Sequence, residues 1–205
     1  MTAIIQAIIF DFGNVLLEWN PRLVFRRYFP NDEEGMEKFL HEVNFMDWNA
    51  QQDKGRTFAE GVTELSKQFP HYADLIQAYH DNWEHSIGHY FEGTVEIMKE
   101  LKKAGYSLYG LSNWSAETFP IAQEKYDFFD LLDDRVISGE VGLIKPEPEI
   151  FELLLKKIGR PAQECLFIDD AIANIEQAQN LGFATVHFQS PEQLSTELRE
   201  LHILQ

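Results

Sequence analysis

The sequence predicts an α/β protein: a doubly wound parallel sheet with an all-helical block inserted after its first strand. Three observations carry this expectation. From residue 93 onward, strand-like apolar runs alternate with amphipathic helical stretches, the pattern of a parallel sheet covered on both faces. A further apolar run, AIIQAIIF at residues 3–10, stands alone ahead of them. Between the two, residues 19–89 look helical and contain no convincing strand.

The elements follow in order. Residues 3–10 are Ile-rich and uninterrupted, as expected of a strand buried on both faces. NPRLVFRRYF opens a helix, with Asn20 as N-cap and Pro21 at the first helical position. TFAEGVTELSKQF carries a capping box, Thr57 to Glu60, and helical spacing at Phe58, Val62, Leu65 and Phe69. YADLIQAYHDNW continues the helical pattern. GTVEIMKELKKAG is an amphipathic helix closed by Gly105, and YSLYGLSN is a strand with a polar end. AETFPIAQEKY is a helix that must start late or kink at Pro120. RVISG is a short strand, and PEIFELLLKKIG is a helix running from Pro148 to Gly159. CLFIDD is a strand ending in two carboxylates, and AIANIEQAQNLG is a helix closed by Gly182. ATVHF and PEQLSTELREL supply a last strand and a last helix. The expected sheet order is 3-2-1-4-5, which makes strands one and four neighbours. The division is residues 1–18 and 90–205 for the α/β core and 19–89 for the helical block.

Composition narrows the partners. With 17 Lys+Arg against 34 Asp+Glu the formal charge is −17, which argues against nucleic acid or an anionic membrane as ligand. A small anionic substrate stays open, because a metal reverses the field locally. One cysteine, Cys165, permits no intrachain disulfide and reads as a buried core thiol. The N-terminal apolar run lacks a basic leader and is too short for a membrane span, so a cytoplasmic protein is expected. A monomer or weak dimer is the expected state.

Four polar clusters fall at or just beyond strand carboxyl ends: Asp11, Ser112–Asn113, Lys145 and Asp169–Asp170. In open α/β sheets that edge is where ligands bind. Three carboxylates converging there repel one another, and Lys145 offsets only one charge. Oxygen donors without His or Cys point to Mg²⁺ rather than Zn²⁺. A carboxylate held beside Mg²⁺ and a lysine is a competent nucleophile toward a phosphoryl group. His80, His85 and His89 suggest zinc, the last two by their i, i+4 spacing, but no third ligand is evident.

The motifs IIFDFGNVL, LYGLSN, KPEP and LFIDD, in this order, resemble those of the haloacid dehalogenase superfamily of aspartate-nucleophile hydrolases. The helical block sits where that family places a cap. The resemblance implies that Asp11 is the nucleophile and a Mg²⁺ ligand, with the Gly13 carbonyl as a second ligand. It implies that Asp170 binds the metal directly and Asp169 through water. Ser112 and Lys145 would hold the phosphate, with the Asn113 backbone assisting. Glu18, Trp19, Asp53 and Lys54 are candidate cap residues for substrate selection, the last two from the loop in QQDKGRTFAEG.

Position 13 departs from the family pattern. Most phosphatases of this family carry there an Asp that protonates the leaving group and then activates water. Gly13 keeps the backbone carbonyl and loses the acid. The expected function is hydrolysis of a small phosphorylated metabolite, a sugar phosphate by preference. The DFGNV variant is similar to that of α-D-glucose-1-phosphate phosphatase-like members. The alternatives are a non-catalytic phosphometabolite-binding or regulatory protein and a 2-haloacid dehalogenase. Against the last, dehalogenases of the family lack the metal and this type of Asp-Asp fourth motif.

Overall fold

The computed structural model describes residues 4–205. Ala3, at the start of the expected first strand, lies outside them, and β1 itself is shorter, Ala7–Phe10. The principal sheet contains β1, β4 (Ser107–Ser112), β5 (Asp134–Ile137), β6 (Cys165–Asp169) and β7 (Ala184–His187). Its order is β5-β4-β1-β6-β7, and every pairing is parallel. This is the expected 3-2-1-4-5 order. Phe10, the last residue of β1, is registered with Gly110 on one side and Ile168 on the other, so β4 runs on past it to Ser112 and β6 to Asp169.

Alternate residues of β1 serve two cores. Ala7 and Ile9 face α9 (Pro148–Ile158) and α10 (Ile172–Asn180) through Ile150, Phe151, Leu154 and Ile175. Ile8 and Phe10 belong to the opposite core, with Val95, Met98 and Leu101 of α6 (Glu92–Lys103) and Leu194 and Leu198 of α11 (Pro191–Glu200). Helices on both faces explain why β1 and β6 are buried at every residue. Two shorter helices, α7 (Phe119–Lys125) and α8 (Ser138–Val141), follow β4 and β5. Pro120 lies in the first turn of α7, where its missing N–H costs nothing.

The insertion leaves and rejoins the core through a two-stranded antiparallel ribbon, β2 (Leu17–Trp19) and β3 (Ile87–Tyr90), with Trp19 opposite Ile87. This corrects the all-helical expectation for residues 19–89. Four residues that include Gly88 and His89 carry too weak a strand pattern to be read locally, and pairing with β2 supplies what propensity does not. The ribbon also separates the two histidines. His85 lies in a 3-10 turn and His89 in β3, where its Nδ1 is 2.8 Å from Glu18 Oε2.

Between the ribbon strands lie α1 (Arg22–Phe25), α2 (Glu33–Glu42), α3 (Phe45–Asp53), α4 (Phe58–Gln68) and α5 (Ala73–Asp81). Asn20 Oδ1 accepts from the Arg22 amide at 3.1 Å, yet α1 makes only one turn. The helix expected to run through Phe29 stops early, and Pro30 disfavours helical backbone just before it. The capping box of α4 is present, with Thr57 and Glu60 bonded reciprocally. The insertion closes around Tyr79, whose ring meets those of Phe25, Phe45, Trp48 and Phe58 at centroid distances of 4.8–6.2 Å. This aromatic cluster is continuous with the Ile8–Phe10 core, and Trp83 meets Trp114 across the junction.

Candidate active site

Parallel pairing brings the polar strand ends together. Asp11 follows the last residue of β1, and its amide donates to Ile168 O of β6 at 2.9 Å. Ser112 ends β4, Asp169 ends β6, and Asn113 and Asp170 are the next residues along. Lys145 comes from the loop before α9. All four sequence clusters therefore meet at one edge of the sheet. They surround a cavity of about 280 Å³ between sheet and insertion. Asp11, Gly13, Ser112, Asn113, Lys145 and Asp170 line it from the core side, and Trp19, Met46, Asn49, Asp53 and Trp83 from the other.

Lys145 is the hub. Its ammonium is buried, donates to Asp169 Oδ2 at 2.6 Å and Leu111 O at 2.8 Å, and forms an ion pair with Asp11 Oδ1 at 2.8 Å. The ammonium thus joins the two carboxylates and the end of β4 at one point. Asn113 fixes the lysine from behind. Its Oδ1 accepts from the Lys145 amide at 2.8 Å and its Nδ2 donates to the Lys145 carbonyl at 2.9 Å. Burial alone would lower the Lys145 pKa, but Asp11 and Asp169 outweigh it and the net shift is upward.

Asp169 is completely buried, and its carboxylate is held by three donors. Besides Lys145 it accepts from the Ala171 amide at 2.8 Å and from Asn174 Nδ2 at 2.9 and 3.0 Å. Asp170 faces the cavity and takes an amide hydrogen from Asn14 Nδ2 at 3.2 Å. Asn14, with φ +55°, also accepts from the Trp19 amide and so ties the turn after β1 to the ribbon. The two hydrogen bonds beside Gly13, from Asn14 N to Leu17 O and from Leu17 N to Phe12 O, do not use the Gly13 carbonyl.

Asp11, Asp169 and Asp170 offer carboxylate oxygens all within 4.8 Å of one another. Three carboxylates against one lysine leave the cluster with excess negative charge. Burial, opposed by Lys145 and reinforced by Asp169, pushes the Asp11 carboxyl up to about 7. Burial and Asp169 also raise Asp170. A hard divalent cation supplies the missing charge, and an all-oxygen donor set with room for water fits Mg²⁺.

Of the four candidates for substrate selection, Trp19 and Asp53 line the cavity. Glu18 instead pairs with His89, and Lys54 is exposed with its Nζ 2.5 Å from Glu147 Oε1. Lys54 thus bridges insertion and core outside the cavity. The sequence reading missed Asn14, Asn49 and Asn174. Asn174 carries a positional signal, five residues beyond Asp169 in the first turn of the following helix. Asn14 carries another, the Gly-Asn turn directly after the strand-end carboxylate.

A family model for haloacid dehalogenase-like hydrolases matches residues 5–182. The chain belongs to this family. A sesquiterpene phosphatase of Aspergillus oryzae is 27% identical over 98% of both chains. A drimenol cyclase of Aspergillus calidoustus is 26% identical over 96% of this chain, which spans only 36% of that protein. Among solved structures, a haloacid dehalogenase family enzyme from Bacteroides thetaiotaomicron in complex with magnesium and inorganic phosphate is 25% identical, with a TM-score of 0.66 over 91% of this chain and 95% of that one. The chain is thus a haloacid dehalogenase-like hydrolase whose carboxylate cluster fits Mg²⁺. Among the described residues, no helix is long and apolar enough to cross a membrane.

Proposed function

We propose that this hydrolase is a Mg²⁺-dependent phosphatase that cleaves a small phosphate monoester through an aspartyl-phosphate on Asp11. The observation that carries the reading is Asp11 itself. It stands at the cavity floor with one carboxylate oxygen held by Lys145 at 2.8 Å, inside a cluster that needs a cation. Asp11, the Gly13 carbonyl and Asp170 would hold Mg²⁺, and Asp169 would orient Lys145 and reach the ion only through water. When bound, Mg²⁺ offsets the carboxylate charge and withdraws electrons from the phosphoryl group.

The chain's own residues do the rest. Lys145 fixes the attacking carboxylate and balances charge gathering on the phosphoryl oxygens. The Ser112 hydroxyl and the Asn113 amide hold those oxygens. The Asn113 side chain is already committed to the Lys145 backbone, so only its backbone is available. Asp11 attacks phosphorus, the bond to the leaving oxygen breaks, and water then hydrolyses the acyl phosphate. The helical insertion acts as a cap that shields this intermediate from solvent.

The cap-side wall selects the substrate. Trp19 and Trp83, with Trp114 of the core against Trp83, offer flat apolar faces that suit the C–H face of a sugar ring, so a sugar phosphate is the first choice. Met46 in the same wall and the sesquiterpene phosphatase relative favour a second reading, an isoprenoid phosphate. Phosphate release from anomeric sugar phosphates, glucose 6-phosphate and prenyl phosphates, with Mg²⁺ or with EDTA, decides between them. We expect Mg²⁺-dependent release that falls at least about 10³-fold in Asp11→Asn. No Asp11-dependent release from any compound would leave the phosphometabolite-binding reading in place.

A further inference from the structure

The alcohol of an ordinary phosphate ester departs as an alkoxide unless its oxygen receives a proton. Gly13 brings none to the cavity. A Cβ built there would meet no atom within 4 Å, so the position is open and unused. Among the described residues, the titratable side chains lining the cavity are Asp11, Asp53, Lys145 and Asp170. Asp11 is the attacking group, Asp170 belongs to the cation cluster, and the Lys145 ammonium is held between Asp11 and Asp169 and bonded to Leu111 O.

We propose that Asp53, the last residue of α3, is the catalytic acid and base that takes over the proton transfers Gly13 cannot perform. The inference rests on the phosphatase reading above. Asp53 lines the cavity from the insertion, opposite the core residues, and stands outside the three-carboxylate cluster. It is held on several sides. Asn49 Nδ2 donates to its Oδ2 at 2.9 Å, and Asn49 Oδ1 in turn accepts from the buried Tyr79 hydroxyl at 3.4 Å. Ser138 Oγ donates to the Asp53 carbonyl at 2.5 Å, which pins the end of α3 onto α8 of the core. The neighbouring Lys54–Glu147 pair adds a second tie across the same junction.

The protonation state suits the role. Burial pushes the Asp53 carboxyl up to about 8, against hydrogen bonds from the Ser115 amide and Asn49, and the charge of Asp11 adds to the rise. The group therefore carries its proton at neutral pH. In the first step Asp11 forms its bond to phosphorus, the ester P–O bond breaks, and Asp53 gives its proton to the departing oxygen. The alcohol leaves, and Asp53 is a carboxylate. In the second step Asp53 takes a proton from a water as that water attacks phosphorus. The Asp11–phosphorus bond breaks, phosphate leaves, and Asp53 is a carboxylic acid again.

The test compares leaving groups. The best alkyl phosphate from the substrate panel and dinitrophenyl phosphate, whose phenolate departs without a proton, are turned over by the wild type and by Asp53→Asn. The readout is kcat/KM, which reports the step in which the leaving group departs. Asp53→Asn should lose about 10²–10⁴-fold on the alkyl phosphate and less than about threefold on the dinitrophenyl ester. Gly13→Asp added to Asp53→Asn should recover at least about tenfold on the alkyl phosphate, since the open space at residue 13 accepts a second acid. Thermal unfolding of each variant establishes that it is folded. Equal losses on both substrates, or no loss on either, would overturn the role of Asp53 and leave the phosphatase reading standing. A wild type that releases no phosphate from either ester would overturn both.

Discussion

The sheet and the insertion hold their functional residues by different means. In the sheet, backbone register does the work. Phe10 pairs with Ile168, so Asp11 and Asp169 emerge side by side, and Lys145 then binds the two together. In the insertion, side chains do it. Asp53 reaches the cavity because Asn49 and Ser138 hold the end of α3, while the rest of the insertion is an aromatic cluster around Tyr79. A group set by register cannot move without unpairing a strand. A group set by side-chain hydrogen bonds can move with its helix, so the insertion is where rate and selectivity can vary over a constant chemistry.

Removing the hub should break the sheet side most severely. Lys145→Met leaves Asp11 and Asp169 buried without their shared cation, and we expect a loss of about 3–5 kcal/mol in urea unfolding together with loss of turnover. Packing gives a comparable but more even effect. Phe167→Ala in β6 and Phe45→Ala in the insertion should each cost about 3–5 kcal/mol. Because one apolar cluster spans insertion and sheet face, tryptophan fluorescence and far-UV circular dichroism should report a single coincident transition in both variants. Two separate transitions would show that the insertion is an independent unit.

A smaller effect separates the cavity's charges from its packing. Burial raises the Asp11 and Asp53 carboxyls from 3.8 to about 7 and about 8. The folded protein therefore holds more protons than the unfolded chain across this window. Their contribution is fully present below the unfolded value and is lost as pH rises through 7 and 8. In EDTA the melting temperature should fall between pH 5 and pH 8, and Mg²⁺ at pH 8 should restore it. A melting temperature that rises over the same interval would contradict this. The smallest effect belongs to the exposed tie between the two regions. Lys54→Ala should change stability by less than about 1 kcal/mol, with its consequence confined to KM.

The sheet side was the more legible of the two in the sequence, for the same reason. A strand buried on both faces writes an apolar run, and a polar residue at its end stands out; Asp11, Ser112 and Asp169 were located in this way, and the alternation of strands with helices marked the sheet as parallel. In the insertion, helical spacing located α4 and α5, and the Gly-containing loop singled out Asp53. The same loop singled out Lys54, yet adjacent residues at a helix end point in different directions, and only the fold sends one to the cavity and the other to Glu147. Asn49 and Asn174 look like ordinary polar helix residues in sequence. Their value comes from the carboxylates placed against them by tertiary structure. The ribbon strand β3 was invisible because its pairing partner lies some seventy residues away.

That ribbon has a consequence for how such a molecule diversifies. Trp19 and Ile87 face one another across β2 and β3, so the insertion begins and ends at neighbouring points. A hairpin connection of about two to five residues spans such a gap. Everything between can therefore be lengthened, shortened or exchanged without altering the course of the chain through the five-stranded sheet. The ribbon is a socket. One catalytic floor can carry different roofs, each bringing its own aromatic wall and its own polar groups to the cavity.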